Sequence, residues 1–285
     1  MKLPVFDYVA PSTLNEAVSV LATHAGNALA IAGGQSLIPM LAFRLAAPSL
    51  LVDLRRIPDL DTISVSDQGV CLGSKVRWCD IESDARLRTA HPLLVAAVSH
   101  VAHYPIRNRG TVGGSVAHAD PAAELPGIAV TCDAQIAVAG QGGARTIRAG
   151  DFFLGPMTTA LAADELIVEL RLPAWPAARR WAFEEFTRQR GAFALAGIAL
   201  FYDVRDGLAE DTHIGVIGAS ACPQRIPEAE AALNGRVINE QTILAAAQAA
   251  SAAVDPADDI DASAAYRRSL VGTLVERALQ CATRR

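Results

Sequence analysis

Closely spaced cysteines are missing from this chain of 285 residues: five cysteines occur, and no two of them form a C-x-x-C pair. Iron–sulfur and zinc sites built on cysteine need such spacing, so neither is expected here. The odd number and wide dispersion instead favour buried free thiols in a reducing compartment, and a cytoplasmic protein is expected. The cysteines are Cys71, Cys79, Cys132, Cys222 and Cys281.

Long apolar runs and excess positive charge are missing as well. No stretch of about 18 apolar residues occurs, so no membrane span is expected. The first eight residues lack the basic and apolar regions of a secretion signal. The net charge is −5, and acidic and basic residues are interspersed without a basic stripe. Nucleic acid is therefore not an expected partner. The length is sufficient for two domains.

Two glycine pairs follow apolar sequence, and each precedes a small hydroxyl residue. The first glycine loop, residues 32–37, reads Ala32-Gly33-Gly34-Gln35-Ser36-Leu37, and the second, residues 110–115, reads Gly110-Thr111-Val112-Gly113-Gly114-Ser115. Glycine permits close backbone approach, and successive N–H groups in such a turn bind anions. Neither loop matches the Rossmann fingerprint or the phosphate loop of nucleotide hydrolases. Together they predict one long ligand with a pyrophosphate in its middle.

Charged residues flank the second glycine loop. Asp120 and Glu124 follow it, where carboxylates accept hydrogen bonds from ribose hydroxyls in dinucleotide sites. The alternatives are a helix N-cap before Pro121 for Asp120, and a solvated acid of a first helical turn for Glu124. Arg107 and Arg109 precede the loop and serve either to offset phosphate charge or to occupy the surface.

The chain shows no acid–base or nucleophilic machinery of its own. His100 and His103 lie three residues apart, but no third metal ligand is positioned with them. The G-x-S-x-G motif of serine hydrolases is absent. A large phosphate-bearing cofactor without such machinery is typical of a protein whose cofactor performs the chemistry.

Periodicity predicts helices and strands along the whole chain. The sequence Thr13-Leu14-Asn15-Glu16 predicts a capping box at the start of a helix. A segment rich in proline and alanine at 173–178 predicts a domain boundary. Helices are predicted at 37–45, 79–87, 93–103, 228–233, 240–253 and 262–282. Strands are predicted at 28–31, 50–54, 62–65, 70–72, 135–139, 144–148, 165–172, 181–187, 193–204 and 212–219.

The two loops, with Arg107-Asn108-Arg109 before the second and Ala117-His118-Ala119-Asp120 after it, resemble the FAD pyrophosphate loops of one family. It comprises the flavoprotein medium subunits of molybdenum hydroxylases, such as xanthine dehydrogenase and carbon monoxide dehydrogenase. The resemblance covers essentially the whole chain. With Gln35 and these flanking residues, the motif is closest to N-heteroaromatic hydroxylases such as quinoline 2-oxidoreductase. Gln35, Ser115 and Phe193 stand where carbon monoxide dehydrogenases have His, Asn and Tyr, which weakens a carbon monoxide assignment.

This resemblance implies an α+β fold of the vanillyl-alcohol-oxidase (PCMH) type. Two α/β subdomains, residues 1–56 and 57–174, would form an FAD-binding domain at 1–174. Residues 175–285 would form a C-terminal flavoprotein domain, in which a three-stranded antiparallel sheet packs with helices.

The resemblance also implies which residues bind non-covalent FAD. The pyrophosphate would lie against Ala32 to Leu37 and Thr111 to Ser115, the ribose of the adenosine half against Glu124 with Asp120 nearby, and the isoalloxazine ring beside Phe193. The full set is Ile31, Ala32, Gly33, Gly34, Gln35, Ser36, Leu37, Val101, Ala102, Gly110, Thr111, Gly113, Gly114, Ser115, Ala119, Asp120, Glu124, Ile167 and Phe193, with Val101 and Ala102 at the adenine.

Partners are implied by the same resemblance. A large subunit would hold the molybdenum cofactor and a small subunit the [2Fe-2S] clusters, in a dimer of heterotrimers. Electrons would pass from the clusters through FAD to an external acceptor, which is NAD, oxygen, a quinone or a cytochrome, during hydroxylation of an N-heteroaromatic compound. No residue of this chain would be catalytic. The alternatives are a stand-alone flavin dehydrogenase or oxidase, and a non-catalytic nucleotide-binding module.

Overall fold

The computed structural model describes residues 2–24 and 26–284, and its N-terminal part is a small parallel α/β unit. Its three strands lie in the order β1-β3-β2, so the first glycine loop leaves the carboxyl end of an edge strand. The capping box is confirmed, because Thr13 accepts from Glu16 N–H and the Glu16 carboxylate accepts from Thr13 N–H. The elements are β1 (Asp7–Val9), α1 (Leu14–Thr23), β2 (Ala28–Ile31), α2 (Leu37–Ala42), β3 (Leu50–Asp53) and a 3₁₀ turn (Leu54–Arg56).

Helix α2 ends three residues before the predicted end at residue 45. Arg44 adopts a positive φ of 63°, which stops the helix, and its Nη2 donates to Lys2 O at 2.8 Å. Phe43 and Leu45 continue the apolar pattern but are 65% and 73% exposed. The apolar pattern therefore predicts too long a helix, because these two side chains face outward instead of packing on the sheet.

The second unit is built on a five-stranded antiparallel sheet in the order β4-β5-β10-β6-β7. Its strands are β4 (Ile63–Ser66), β5 (Gly69–Gly73), β6 (Gln135–Gly140), β7 (Gly143–Arg148) and β10 (Leu166–Pro173); a separate hairpin pairs β8 (Phe153–Gly155) with β9 (Thr158–Thr159). Leu72, Ile136 and Leu170 are fully buried beneath the helices that cover the sheet. The helices are α3 (Trp78–Ser83), α4 (Leu87–Ala90), α5 (Pro92–Val98), α6 (Tyr104–Arg107), α7 (Val112–His118), α8 (Glu124–Thr131) and α9 (Ala149–Phe152).

The helices of this unit are shorter than the periodicity predicts. The helix expected at 79–87 breaks at Asp84, which is extended and whose carboxylate accepts from Arg86 N–H. The helix expected at 93–103 ends at Val98, and Ala102 takes a positive φ of 40°. Residues 99–103 therefore form a loop. Helices α7 and α8 were not predicted, because α7 contains Gly113 and Gly114 and α8 contains Pro126 and Gly127, which favour a loop.

The C-terminal unit is an antiparallel sheet in the order β11-β12-β13-β14. The three predicted strands are present. A two-residue strand pairs with the third of them, so the sheet has four strands instead of the three expected. The elements are β11 (Arg180–Thr187), β12 (Ala194–Arg205), β13 (Leu208–Ile217), β14 (Gln224–Arg225), α10 (Pro227–Ala231), α11 (Glu240–Ala253) and α12 (Ala264–Thr283).

Strand β12 is buried on both faces from residue 194 to residue 202. Ile198 and Leu200 pack in the core with helices α11 and α12, whereas Ala199 and Phe201 pack in the core of the second unit. This arrangement explains the long apolar run in the sequence, since a half-exposed strand would alternate. Among the described residues, no helix has the length and hydropathy needed to cross a bilayer.

Candidate cofactor site

The two glycine loops contact each other through their backbones. A Cβ added to Gly33 would lie 2.0 Å from Arg109 O and 3.1 Å from the Cα of Gly110. Only a residue without a side chain allows this approach. The structure thus brings together two segments that are more than seventy residues apart in the sequence.

The first glycine loop presents a row of backbone donors. Within the described chain, no backbone N–H of residues 33–37 donates a hydrogen bond to another protein group. Gly34 has a φ of +74°, which a residue with a side chain rarely adopts, and Gln35 Nε2 donates to Gly33 O at 3.2 Å, closing the turn. Consecutive unpaired amides in such a turn form a concave site for an anion.

The glycines of the second glycine loop have different roles. Gly113 packs internally, because a Cβ there would lie 2.6 Å from the Cβ of Ser74, and its N–H donates to Ser74 O. Gly114 is exposed, and an added Cβ would meet only the hydroxyl of Thr111, at 2.8 Å. Thr111 caps α7 by accepting from Gly114 N–H at 3.2 Å. Bare backbone is therefore open to a ligand at Gly114.

Arg107 holds the loop that contains the predicted adenine contacts. Its Nη1 donates to Val101 O at 2.9 Å and to Ala102 O at 3.1 Å, and its Nε donates to Glu82 at 3.0 Å. Neither of the two roles considered from the sequence, phosphate neutralisation or a surface position, describes this side chain. It is a half-buried structural residue that fixes residues 101–102 beside the second glycine loop.

Replacing Arg107 by alanine is expected to weaken cofactor binding about 5- to 10-fold, because two carbonyl groups lose a charged donor that is worth about 1.5–3 kcal/mol. The expected loss is smaller than the full interaction, since water can solvate part of the released loop. Flavin titration measures the effect. Arg86→Ala is the matched control, because Arg86 is an exposed arginine that pairs with Asp84. The Arg86→Ala variant is expected to bind cofactor like the wild type. Equal affinity in both variants would contradict the anchoring role.

The two acids after the second glycine loop occupy different environments. Asp120 does not cap a helix; its Oδ1 accepts from Ala122 N–H at 2.9 Å and closes a turn. Glu124 is the first residue of α8, as a first-turn acid would be, and it is half-buried rather than fully solvated. Burial raises the pKa of its carboxyl to about 7, and the nearby charge of Asp120 adds to the shift. Between these acids and α7, Ala119 adopts a φ of 52° and accepts from Met157 N–H.

Glu185 lies near Glu124 and was missed by the sequence analysis. Its side chain is 2% exposed, and its Oε2 has no hydrogen-bond partner in the described chain. The nearest base is His100, whose Nδ1 lies 3.8 Å away. Burial raises the pKa of Glu185 to about 8, with a contribution from the charge of Glu124. The available signal was the sequence Phe183-Glu184-Glu185-Phe186, since adjacent acids of a strand must point to opposite faces.

The pKa of Glu185 predicts a pH-dependent effect of Glu185→Gln on stability. A raised pKa in the folded state means that stability is lost as pH rises from about 4.5 through about 8, because the folded chain must ionise a buried carboxyl. The neutral amide removes this loss. The gain in Tm over the wild type should therefore grow between pH 5 and pH 8.5. Each kcal/mol gained in the free energy of unfolding corresponds to roughly 2–4 °C. Thermal unfolding at both values measures it, and a gain independent of pH would contradict the assignment. Burial lowers the pKa of the neighbouring His100, so its contribution to stability increases as pH rises, in the variant as in the wild type.

Two predicted cofactor residues belong to other elements than the glycine loops. Ile167 is 5% exposed and belongs to the core of the second unit, at a register shift in β10. Phe193 is 73% exposed and directly precedes β12. Ile31 ends β2 and is half-buried at the entrance of the first glycine loop.

The contacting loops, the unpaired amides of the first loop and the half-buried acids after the second are the features of a protein that holds a diphosphate-containing cofactor in an α+β fold. Residues 4–175 match the family model of the FAD binding domain in molybdopterin dehydrogenase, and residues 181–282 match that of the CO dehydrogenase flavoprotein C-terminal domain. The chain therefore belongs to the family of FAD-binding medium subunits of molybdenum hydroxylases.

Curated relatives and solved structures agree with this family. The nicotine 6-hydroxylase medium subunit of Paenarthrobacter nicotinovorans is 38% identical over 279 residues, which are 98% of each chain. The carbon monoxide dehydrogenase medium chain of Hydrogenophaga pseudoflava is 34% identical and covers 98% of this chain and 97% of its own length. The structure of quinoline 2-oxidoreductase from Pseudomonas putida 86 aligns with a TM-score of 0.95 at 37% identity, covering 100% of this chain and 99% of that one.

These findings confirm the predicted family, the PCMH-type fold and FAD as the cofactor. The residues present fit that cofactor, because the unpaired amides of residues 33–37 and the bare backbone at Gly114 suit a diphosphate. The chain is the FAD-binding subunit of an oxidoreductase of the molybdenum hydroxylase type.

Proposed function

We propose that this chain transfers electrons, through its FAD, from the iron–sulfur clusters of a small partner subunit to an external acceptor. A large partner with a molybdenum cofactor would hydroxylate an N-heteroaromatic compound. Relatives at 38% and 32% identity are named for nicotine and caffeine, and a structural relative for quinoline, all of which contain nitrogen heteroaromatic rings. The contact between the two glycine loops supports the proposal most directly, because a single diphosphate site built from both motifs requires that the loops meet.

Each part of the FAD molecule has candidate contacts in this chain. The two glycine loops would hold the diphosphate, the loop at 101–102 the adenine, and Glu124 with Asp120 the ribose. Ile31, Ala119 and Ile167 would line the site, and Phe193 would cover the isoalloxazine ring. In domain terms, residues 1–174, with subdomains 1–56 and 57–174, would bind FAD, and residues 175–285 would cover it.

Bound FAD supplies the electron-transfer chemistry, and the chain contributes binding and orientation. The unpaired amides of the first glycine loop offset the diphosphate charge, so no lysine is needed there. The half-buried position of Glu124 lowers the local dielectric constant and strengthens any hydrogen bond that its carboxyl accepts.

Exposed apolar side chains beside the loops support a multisubunit assembly. Phe43 and Leu45 follow the first glycine loop. Leu154 and Met157 are 63% and 56% exposed, and the Met157 N–H joins this hairpin to the end of α7. Apolar side chains around a redox site fit an interface with a partner that must approach the flavin closely.

Purification of the native complex tests this proposal. Two further subunits, molybdenum and iron are expected to copurify with FAD, and the mass of the complex should match a dimer of heterotrimers. Isolation of the chain alone, free of metal and able to oxidise a simple alcohol or amine at a steady rate, would overturn the proposal in favour of a stand-alone flavin oxidase.

A further inference from the structure

Arg267 is a buried arginine that none of the roles assigned so far uses. It lies near the start of α12 and is 6% exposed. Its Nη1 donates to Leu195 O and to Gly218 O, each at 2.7 Å, and its Nη2 donates to the Asp259 carboxylate at 2.6 Å. Burying this charge costs desolvation energy, and apolar side chains would fill the same space without that cost. Its hydrogen bonds therefore indicate what the arginine contributes.

The two carbonyl groups that Arg267 binds belong to segments that lead to proposed cofactor contacts. Leu195 lies two residues after Phe193, the side chain proposed to cover the isoalloxazine ring. Gly218 directly follows β13, and its N–H donates to Pro121 O at 2.9 Å. Pro121 follows Asp120 in the segment between α7 and α8. One guanidinium group thus holds the start of β12 and, through Gly218, the turn that carries the acids proposed for the ribose.

Gly218 brings these segments into direct backbone contact. Its φ is +72°, and an added Cβ would lie 2.6 Å from Ala194 O and 3.1 Å from Leu195 O. Only a residue without a side chain allows the end of β13 to lie this close to the start of β12. A shift of one segment therefore displaces the other, and the Arg267 side chain donates to both.

We propose that Arg267 is a positioning residue for FAD, which sets the places of Phe193 and of the turn with Asp120 without touching the cofactor. This inference rests on the proposed function, in particular on the contacts proposed there for these two residues. It gives helix α12 of the C-terminal unit a role in cofactor binding. Arginine suits that role, because its planar guanidinium presents several donors in fixed directions, whereas lysine carries one ammonium group on a flexible chain.

Titration of the full-length, FAD-free chain with FAD and with ADP tests this inference. Arg267→Met is expected to lower FAD affinity about 10-fold, because two carbonyl groups lose a charged donor and the segments that carry them shift. The affinity for ADP should fall by a smaller factor, since ADP lacks the ring that Phe193 would cover. The visible circular dichroism of bound FAD at saturation should change as well, because it reports the groups around the ring. Arg267→Lys should restore part of the FAD affinity.

Two control variants separate positioning from general stability. Arg268→Met removes the adjacent arginine, which donates to Val254 O and pairs with Asp255, and it should bind FAD and ADP like the wild type. Leu279→Ala opens a cavity at a fully buried leucine of the same helix. It should lower Tm without changing the FAD affinity or the flavin signal of the folded chain.

Wild-type FAD affinity and an unchanged flavin signal in a folded Arg267→Met chain would overturn the inference. An equal loss of FAD affinity in folded Leu279→Ala would also overturn it, because the effect would then follow from lower stability. Thermal unfolding identifies the folded variants, and Arg267→Gln is measured by the same criteria if Arg267→Met does not fold. Failure of the wild-type chain to bind FAD would instead contradict the proposed function, so the two failures are distinguishable.

Discussion

Replacing Gly33 by valine is expected to lower FAD affinity at least about 100-fold. A Cβ at this residue would lie 2.0 Å from Arg109 O, so the first glycine loop must move away from the second. The obstacle is backbone and not the end of a flexible side chain, and neither loop can yield without losing its own geometry. Fluorescence titration of the FAD-free chain with FAD measures the effect.

Gly142→Ala is the control for this substitution. Gly142 lies in the tight turn between β6 and β7, and an added Cβ would meet nothing within 4 Å. This variant should bind FAD like the wild type. Gly33→Ala provides a milder second test, in which FAD binding should weaken while circular dichroism remains that of the folded chain. Retention of full FAD affinity by a folded Gly33→Val chain would contradict the role of the loop contact.

Replacing Glu124 by alanine is expected to weaken FAD binding by roughly 1–3 kcal/mol, which is about 5- to 150-fold in Kd. The carboxyl is mostly buried at the start of α8, where a hydrogen bond to a ribose hydroxyl would be shielded from water. Because burial raises its pKa to about 7, removal of the carboxyl should also stabilise the FAD-free chain more at pH 8.5 than at pH 5.

Glu228→Ala is the matched control for Glu124→Ala, because Glu228 is an exposed acid in the first turn of α10. It should leave FAD affinity unchanged. If Glu124→Ala stabilised the FAD-free chain without weakening FAD, then Glu124 would be a buried acid with no role in the ribose contact.

Local patterns predicted the elements that depend on short-range sequence. Strand β2 and helix α11 have the predicted boundaries. The strand is a short apolar run between turn residues and the helix begins at a cap, and neighbouring residues alone determine both features. The glycine loops and their ligand class were also predictable, because only glycine allows such a backbone. Helices α7 and α8 were not predicted; they are stabilised by packing, and their own glycines and proline favour a loop.

The side-chain roles that were missed depend on contacts between distant segments. Arg107 is a structural anchor because Glu82 and the carbonyls of residues 101–102 lie around it. Glu124 is half-buried at the start of α8, which packs against the C-terminal sheet, and its charge contributes to the raised pKa of Glu185 on β11. Sequence spacing does not encode which strand will cover a helix, so these burials and the raised pKa values require the folded structure.

Titration of the purified, FAD-free chain with FAD tests the central claim most directly. The account predicts saturation at one FAD per chain, a yellow protein, and complete release of the flavin on acid precipitation, as for a non-covalent cofactor held by two glycine loops. A folded chain that stays colourless at high FAD concentration would contradict it.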